Sequence, residues 1–174
     1  VERLENTDAC HDPDMLAIGD GLCASLRISR KPRTILFNSA VMACATKIRI
    51  NTAAATSTGG MTNKRFGRIG DSPVLGAGNY ANNKTCAVSC TGSGEYFIRG
   101  VVAYDVSCLM EHKQMSLAHA TNEVINHRLL ELGGDGGLIA IDSAGNISLP
   151  FNTEGMYRGF KTSEGVEEIA IYKK

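Results

Sequence analysis

The sequence predicts an α+β domain in which a pair of helices covers one face of a largely antiparallel sheet. Two adjoining stripes recur at helical spacing: Phe97, Val101, Tyr104 and Leu109, then Leu117, Ala120, Val124, Ile125 and Leu129. Strand-like runs lie before and after this pair instead of alternating with helices. Gly145-Asn146 also joins two apolar runs, a strong hairpin signal.

In order along the chain, residues 1 to about 39 carry no clean period of 2 or 3.6. Asp12-Pro13-Asp14 is a turn, Gly19-Asp20-Gly21 breaks the apolar run 15–26, and residues 27–33 form a short basic cluster, so this part reads as a linker or arm. Residues 34–46 read as one strand and 51–57 as a second. The join between them, Lys47-Ile48-Arg49-Ile50, is poor turn chemistry. Residues 59–85 read as a single long glycine-rich loop, and a loop of that length in a compact domain suggests function. Cys86 to Cys90 is a short central strand.

One helix is expected over residues 95–110, capped by Ser93 or Thr91 with Glu95 favoured by the dipole. A second begins after a Ser116 cap and ends at the glycines of 133–137. The hairpin 138–149 and two last strands, 156–160 and 167–172, complete the order.

Composition narrows the function. The 174 residues hold 18 basic and 18 acidic side chains, so no electrostatic case exists for nucleic acid or an anionic membrane surface as partner. No apolar run approaches the ~18 residues of a membrane span. The opening residues, polar and starting at Val1, carry no signal-peptide core and suggest a fragment or processed product. Cys86 and Cys90, in one strand, are badly placed for a disulfide and read as reduced and buried, in keeping with a cytoplasmic protein. The four histidines (11, 112, 119 and 127) form no ligand motif, so no metal and no cofactor is expected.

The candidate site lies in residues 54–73. Hydroxyls at Thr56, Ser57 and Thr58 lead into Gly59-Gly60, followed by a loop with Arg68 and Asp71 three residues apart. An arginine fork grips a carboxylate and an aspartate grips an ammonium, which together suit a small amino-acid substrate. An ordinary solvated ion pair is the plain alternative for these two residues. Further on, Thr91-Gly92-Ser93-Gly94 joins a strand end to a helix start, where backbone N–H groups and the Thr91 hydroxyl would make an oxyanion hole.

These segments resemble a known family. They are Ala55-Thr56-Ser57-Thr58-Gly59-Gly60-Met61-Thr62-Asn63-Lys64, Gly67-Arg68-Ile69-Gly70-Asp71-Ser72-Pro73 and Gly76-Ala77-Gly78-Asn79-Tyr80-Ala81. Three more are Ala87-Val88-Ser89-Cys90-Thr91-Gly92-Ser93-Gly94-Glu95, Gly136-Gly137-Leu138-Ile139-Ala140-Ile141-Asp142 and Pro150-Phe151-Asn152-Thr153-Glu154-Gly155-Met156. From about Asn51 to Tyr172 the chain is similar to the β-subunit of plant-type isoaspartyl peptidase/L-asparaginases, which are N-terminal-nucleophile hydrolases.

The resemblance implies one half of an αββα four-layer sandwich. It also implies an α-subunit from the same self-cleaving precursor and an (αβ)2 dimer. The expected chemistry is hydrolysis of the β-amide of asparagine or of β-aspartyl dipeptides by an N-terminal threonine whose own amine is the base. By the same resemblance, Arg68 holds the substrate α-carboxylate. Asp71 and the Gly92 carbonyl hold its α-ammonium, and Gly94 forms part of the same wall. Thr91 and the Gly92 N–H form the oxyanion hole, and Thr58 supports the nucleophile.

One position departs from the pattern. Counting back from Thr58, the nucleophile falls on Ala40, which has no hydroxyl. Ser39 is one residue off, on the opposite strand face, and Thr46 has no free amine in an uncut strand. Resemblance fades upstream of Asn51 and is lost before Ala40. Residues 1–39 are therefore expected to be an unassigned arm and 40–174 the β-subunit-like domain. A shifted frame or fusion is expected to account for residues 1 to about 50. The chain as written is expected to be inactive, against the alternatives of a non-catalytic homologue or truncated remnant that binds aspartate-like ligands.

Overall fold

The computed structural model describes residues 35–38, 42–48, 51–61, 63–65, 67–162 and 164–173, the first two segments as backbone alone. Nine strands are present among them: β1 (Ile35–Asn38), β2 (Met42–Ile48), β3 (Asn51–Ser57), β4 (Asn79–Ala81), β5 (Cys86–Gly92), β6 (Gly136–Asp142), β7 (Ile147–Ser148), β8 (Gly155–Lys161) and β9 (Glu167–Tyr172). They form two sheets, one in the order β3-β2-β1-β8-β9 and the other in the order β4-β5-β6-β7. All named pairings are antiparallel. The fold is α+β, as the sequence implies.

The run read as one strand over 34–46 is two strands. β1 and β2 pair antiparallel with Ile35 opposite Thr46, so the chain reverses between Asn38 and Met42. The run is apolar nearly throughout, and Asn38-Ser39 is its sole break in pattern. β1 also pairs with β8 over four residues, which places residues 35–38 inside the sheet, ahead of a boundary at residue 40. β2 and β3 pair from Met42–Ser57 to Ile48–Asn51, leaving two residues to connect them despite their poor turn chemistry. A ladder of that length overrides a weak local preference. Ser39 and Ala40, like residues 1–34, lie outside the described residues.

In the small sheet, β5 and β6 are buried on both faces, which is why their sequences read as unbroken apolar runs instead of alternating ones. Cys86, Val88, Cys90, Leu138 and Ala140 face one way, into a core shared with helix residues such as Phe97, Val106, Leu117 and Ile125. Ala87, Ile139 and Ile141 face the other way, packing with Phe151, Met156, Ala54 and Phe160 from the large-sheet side. Each fully buried Leu, Ile or Phe contributes about 1.5–3 kcal/mol.

The expected helix over 95–110 is broken. It consists of α1 (Gly94–Gly100) and α2 (Val102–Lys113), separated by Val101 in left-handed backbone at φ 47°. The break turns Val101 and Tyr104 outward, at 44% and 43% exposure, although helical spacing had placed both on the core stripe. It also lets the start of α2 serve a second purpose. The Ala103 and Tyr104 N–H groups donate to the carbonyls of Ala77 (3.3 Å) and Gly76 (2.8 Å), tying down the loop that leads back to Asp71.

α3 (Leu117–Glu123) starts at Ser116, whose hydroxyl accepts from the His119 N–H at 3.4 Å. It continues through a π-helical turn (Val124–Arg128) into α4 (Leu129–Glu131). Arg128 Nη1 donates to both carboxylate oxygens of Asp105 at 2.9 Å, joining this helix to α2. No helix among the described residues is long and apolar enough to cross a membrane.

Candidate active site

The segment read as one loop over 59–85 contains a short strand. β4 pairs with the first half of β5, placing Asn79 opposite Ser89 and Ala81 opposite Ala87. Three residues of Asn-Tyr-Ala have no alternation to betray them. The remainder of the segment is pinned at several points. Val74 N–H donates to the Asp71 carbonyl (2.8 Å), and Cys90 N–H to the Gly78 carbonyl (2.8 Å). Asn79 Nδ2 donates to the Ser72 carbonyl at 2.8 Å. Glycine is required at 78, because a Cβ there would stand 2.4 Å from the Asp71 carbonyl oxygen.

The result is a cleft of about 400 Å³ lined by Thr58, Gly59, Gly60, Met61, Lys64, Arg68, Gly70, Asp71, Ser72, Thr91, Gly92 and Gly94. All six residues singled out in the sequence, Thr58, Arg68, Asp71, Thr91, Gly92 and Gly94, line this one space. Three segments contribute them: the end of β3, the loop after it, and the β5–α1 corner.

Asp71 is buried at 7% exposure. Among the described residues nothing donates a hydrogen bond to its Oδ2. Burial holds its pKa above the usual carboxylate value, while backbone N–H groups and Arg68 pull it down by less. A buried carboxylate oxygen in this condition calls for a donor that the described residues do not supply. Gly94 lies hard against this carboxylate and Gly92 against a second strand. At φ 148° in Gly92, a Cβ would stand 2.3 Å from the Asp135 carbonyl oxygen. Thr91 is buried at 7% exposure, and the Thr58 hydroxyl accepts from the Gly60 N–H at 3.0 Å.

Arg68 is not paired with Asp71. Its Nε donates to Glu95 Oε1 at 3.0 Å and its Nη2 closes on the same oxygen. Those hydrogen bonds lower the pKa of the exposed Glu95 carboxyl. Glu95 was read only as a helix-dipole residue, and nothing in a separation of 27 positions signals a partner for Arg68. Ser93 likewise differs from expectation. It stands at the start of α1 without a side-chain cap, because its hydroxyl bonds Asp135 instead. Lys64 and Ser72 also line the cleft without having been singled out, although both lie inside the matched segments. Cys86, Cys90 and Cys108 are free thiols, with Cys86 and Cys90 buried in β5 as expected.

A carboxylate and a guanidinium lining one cleft can hold opposite charges of a small ligand. Sequence comparison shows the family. Residues 38–171 match the asparaginase family, and the chain belongs to it. It is 58% identical over 124 residues to an isoaspartyl peptidase of Escherichia coli (strain K12), covering 71% of this chain and 39% of that protein. A putative isoaspartyl peptidase/L-asparaginase of Dictyostelium discoideum is 57% identical over 131 residues, covering 71% and 37%. A probable isoaspartyl peptidase/L-asparaginase 2 of Arabidopsis thaliana is 52% identical over 121 residues, covering 70% and 36%. The chain thus spans about two-fifths of the length of the curated relatives it matches.

Proposed function

We propose that this chain is the β-subunit part of an isoaspartyl peptidase/L-asparaginase, built to hold asparagine or a β-aspartyl dipeptide by its α-amino and α-carboxylate groups. The single observation that carries this is the buried Asp71 carboxylate, whose Oδ2 has no donor among the described residues, in a cleft shared with Arg68. An α-ammonium supplies that donor, and Arg68 takes the α-carboxylate by exchanging Glu95 for it. Gly92 and Gly94 shape the wall beside Asp71. Thr91 and the Gly92 N–H are assigned to the oxyanion, where loss of one donor costs on the order of 10²–10³ in rate. Thr58 is assigned to support the nucleophile.

The αββα sandwich is part of the same proposal. Helices on one face of the small sheet and the large sheet on its other face support it. So do Tyr157 and Ile169, 59% and 78% exposed on the side of β8 and β9 turned away from Met156 and Phe160, an apolar face that another layer would cover. That layer is assigned to an α-subunit of the same precursor, in a cytoplasmic (αβ)2 dimer.

The chain as written binds and does not turn over, because Ala40 occupies the nucleophile position. Incubation with β-aspartyl-leucine is expected to release no leucine, while calorimetry with aspartate shows binding. Leucine release above buffer would restore the hydrolase reading and direct attention to Ser39 or Thr46. Residues 1 to about 50 are proposed to come from a shifted reading frame or a fusion, although 35–38 and 42–48 pair into the large sheet. Translation of the encoding DNA in its other two frames tests this: a Gly-Thr-Val-Gly-Ala stretch upstream of the Asn51 codon is expected, and finding none refutes it.

A further inference from the structure

We propose that Asn152 is a positioning residue for the oxyanion site: through Gly136 it fixes the peptide that carries the Gly92 N–H. The proposal rests on the oxyanion role given to that N–H above and adds to it a residue outside the cleft lining. Asn152 stands in the matched stretch 150–156, none of which lines the cleft. Its Oδ1 accepts from the Gly136 N–H at 2.8 Å, and its Nδ2 donates to the carbonyls of Ile125 at 3.1 Å and Gly134 at 3.2 Å. One N–H facing Oδ1 and two carbonyls facing Nδ2 admit no other orientation of the amide. The Asn152 backbone N–H donates to the Gly136 carbonyl at 2.9 Å, so Gly136 is held by both of its own polar groups. The Ile125 carbonyl belongs to the π-helical turn, an interruption of a kind that recurs at functional sites.

What Gly136 touches gives this clamp its purpose. It pairs with Gly92 across the β5–β6 ladder, and a Cβ on it would stand 2.3 Å from the Thr91 carbonyl oxygen. The Thr91 carbonyl and the Gly92 N–H are opposite ends of one planar trans peptide. A carbonyl turned toward β6 therefore turns that N–H to the other edge of β5. The ladder agrees. The Cys90 N–H donates to the Gly78 carbonyl at that other edge, and alternation returns the Gly92 N–H to it two residues on. β4 pairs no further along β5 than Ser89, so the Gly92 N–H emerges beyond its end, where Gly92 lines the cleft. The next peptide has a separate clamp. The Ser93 N–H, in plane with the Gly92 carbonyl, donates to the Asp135 carbonyl at 3.1 Å. The two polar groups of Gly92 are thus set independently, the N–H by Asn152 through Gly136 and the carbonyl by Asp135.

Calorimetry on the full chain tests this with aspartate and 2-aminobutyrate, which share their α-groups and differ in that a methyl replaces the β-carboxylate. The unaltered chain is expected to bind aspartate at least about tenfold more tightly, a typical yield for hydrogen bonds to one charged group. Asn152→Ala is expected to erase that preference by weakening aspartate alone, since the α-groups are assigned to Arg68, Asp71 and the Gly92 carbonyl. Asn152→Ser, gentler on folding, is expected to do the same. Asn152→Asp keeps the acceptor for the Gly136 N–H and is expected to retain the preference. In amide NMR spectra of the unaltered chain, the Gly92 resonance is expected to move on adding aspartate and to stay in place with 2-aminobutyrate. A Gly92 resonance that stays in place under saturating aspartate overturns the proposal without any variant. A preference that survives in Asn152→Ala or Asn152→Ser overturns it too and leaves the proposed function intact. Equal weakening of both ligands in those variants makes Asn152 a general brace of the fold and refutes the positioning role. Loss of the preference in Asn152→Asp refutes the route through Gly136. If neither ligand binds the unaltered chain, the proposed function fails and this proposal fails with it.

Discussion

A Cβ at Gly94 would stand 2.7 Å from Asp71 Oδ1 and 3.0 Å from the Asp71 backbone nitrogen. The first residue of α1 is thus a glycine because a carboxylate occupies the space beside it. Helical geometry makes no such demand. Gly94→Ala is conformationally permitted, so its effect falls on Asp71. Overpacking of this kind costs about 1–3 kcal/mol of stability. Loss of aspartate binding by calorimetry, larger than the accompanying drop in thermal stability accounts for, is the expected result.

Asp71→Asn separates the binding role from the folding cost. Desolvation holds the Asp71 pKa above 3.8 in the folded chain. A raised carboxylate pKa means that the folded state binds the proton more tightly than the unfolded state. The penalty is therefore fully present above the folded pKa and disappears as pH falls to the unfolded value. Urea denaturation should find Asp71→Asn more stable than the parent at pH 7, with the gap closing toward pH 4. Aspartate binding should fall by roughly ten- to a hundredfold, the worth of a hydrogen bond to a charged group.

The thiols of β5 should be chemically silent in the native protein. Burial pushes the Cys86 pKa up to about 12 and that of Cys90 well above its ordinary value. The thiolate is the reactive species, so at pH 8 both are almost wholly protonated as well as enclosed. Iodoacetamide followed by peptide mass mapping should leave Cys86 and Cys90 unmodified until denaturant is added. Modification of either in the native chain would contradict the packing of the small sheet.

Val101 stores backbone strain. A β-branched residue at φ 47° is held in a region that costs an L-residue roughly 1–2 kcal/mol. Its side chain is 44% exposed and returns little packing. Val101→Gly should raise the free energy of unfolding by about 0.5–1 kcal/mol after the added entropy of the unfolded chain is subtracted. Val101→Ala keeps the Cβ and should give no such gain. Chemical denaturation of the two variants side by side distinguishes strain relief from simple loss of the isopropyl group.

The parts of the fold that were legible in the sequence are those with local signals. The second helix stripe, the Ser116 cap and the Gly145-Asn146 hairpin each rest on residues within a few positions of one another. The Val101 break was hidden because it is imposed from outside, by loop carbonyls at Gly76 and Ala77 that take the first N–H groups of α2. The split between β1 and β2 was hidden because a continuous apolar run has no periodic mark where it reverses. At the site, the motif residues were legible as a set, and the structure gathers them around one cleft. The Arg68–Glu95 pair was not legible, since pairing across two segments depends on how the corner after β5 folds back over the loop.

Thr56 and Ser89 touch, hydroxyl to hydroxyl, at 2.5 Å, one in each sheet. Thr56 also donates to the Gly78 carbonyl at 3.3 Å. Two residues further along each strand stand Thr58 and Thr91, which line the cleft. The gap between the two hydroxyls at the site is thus measured off from a bolt one step behind them, outside the cleft lining. A mutation at 56 or 89 would retune the width of the cleft without altering a single residue that lines it. Sequence tolerance at those two positions should therefore be set by the width of the cleft and not by core packing alone.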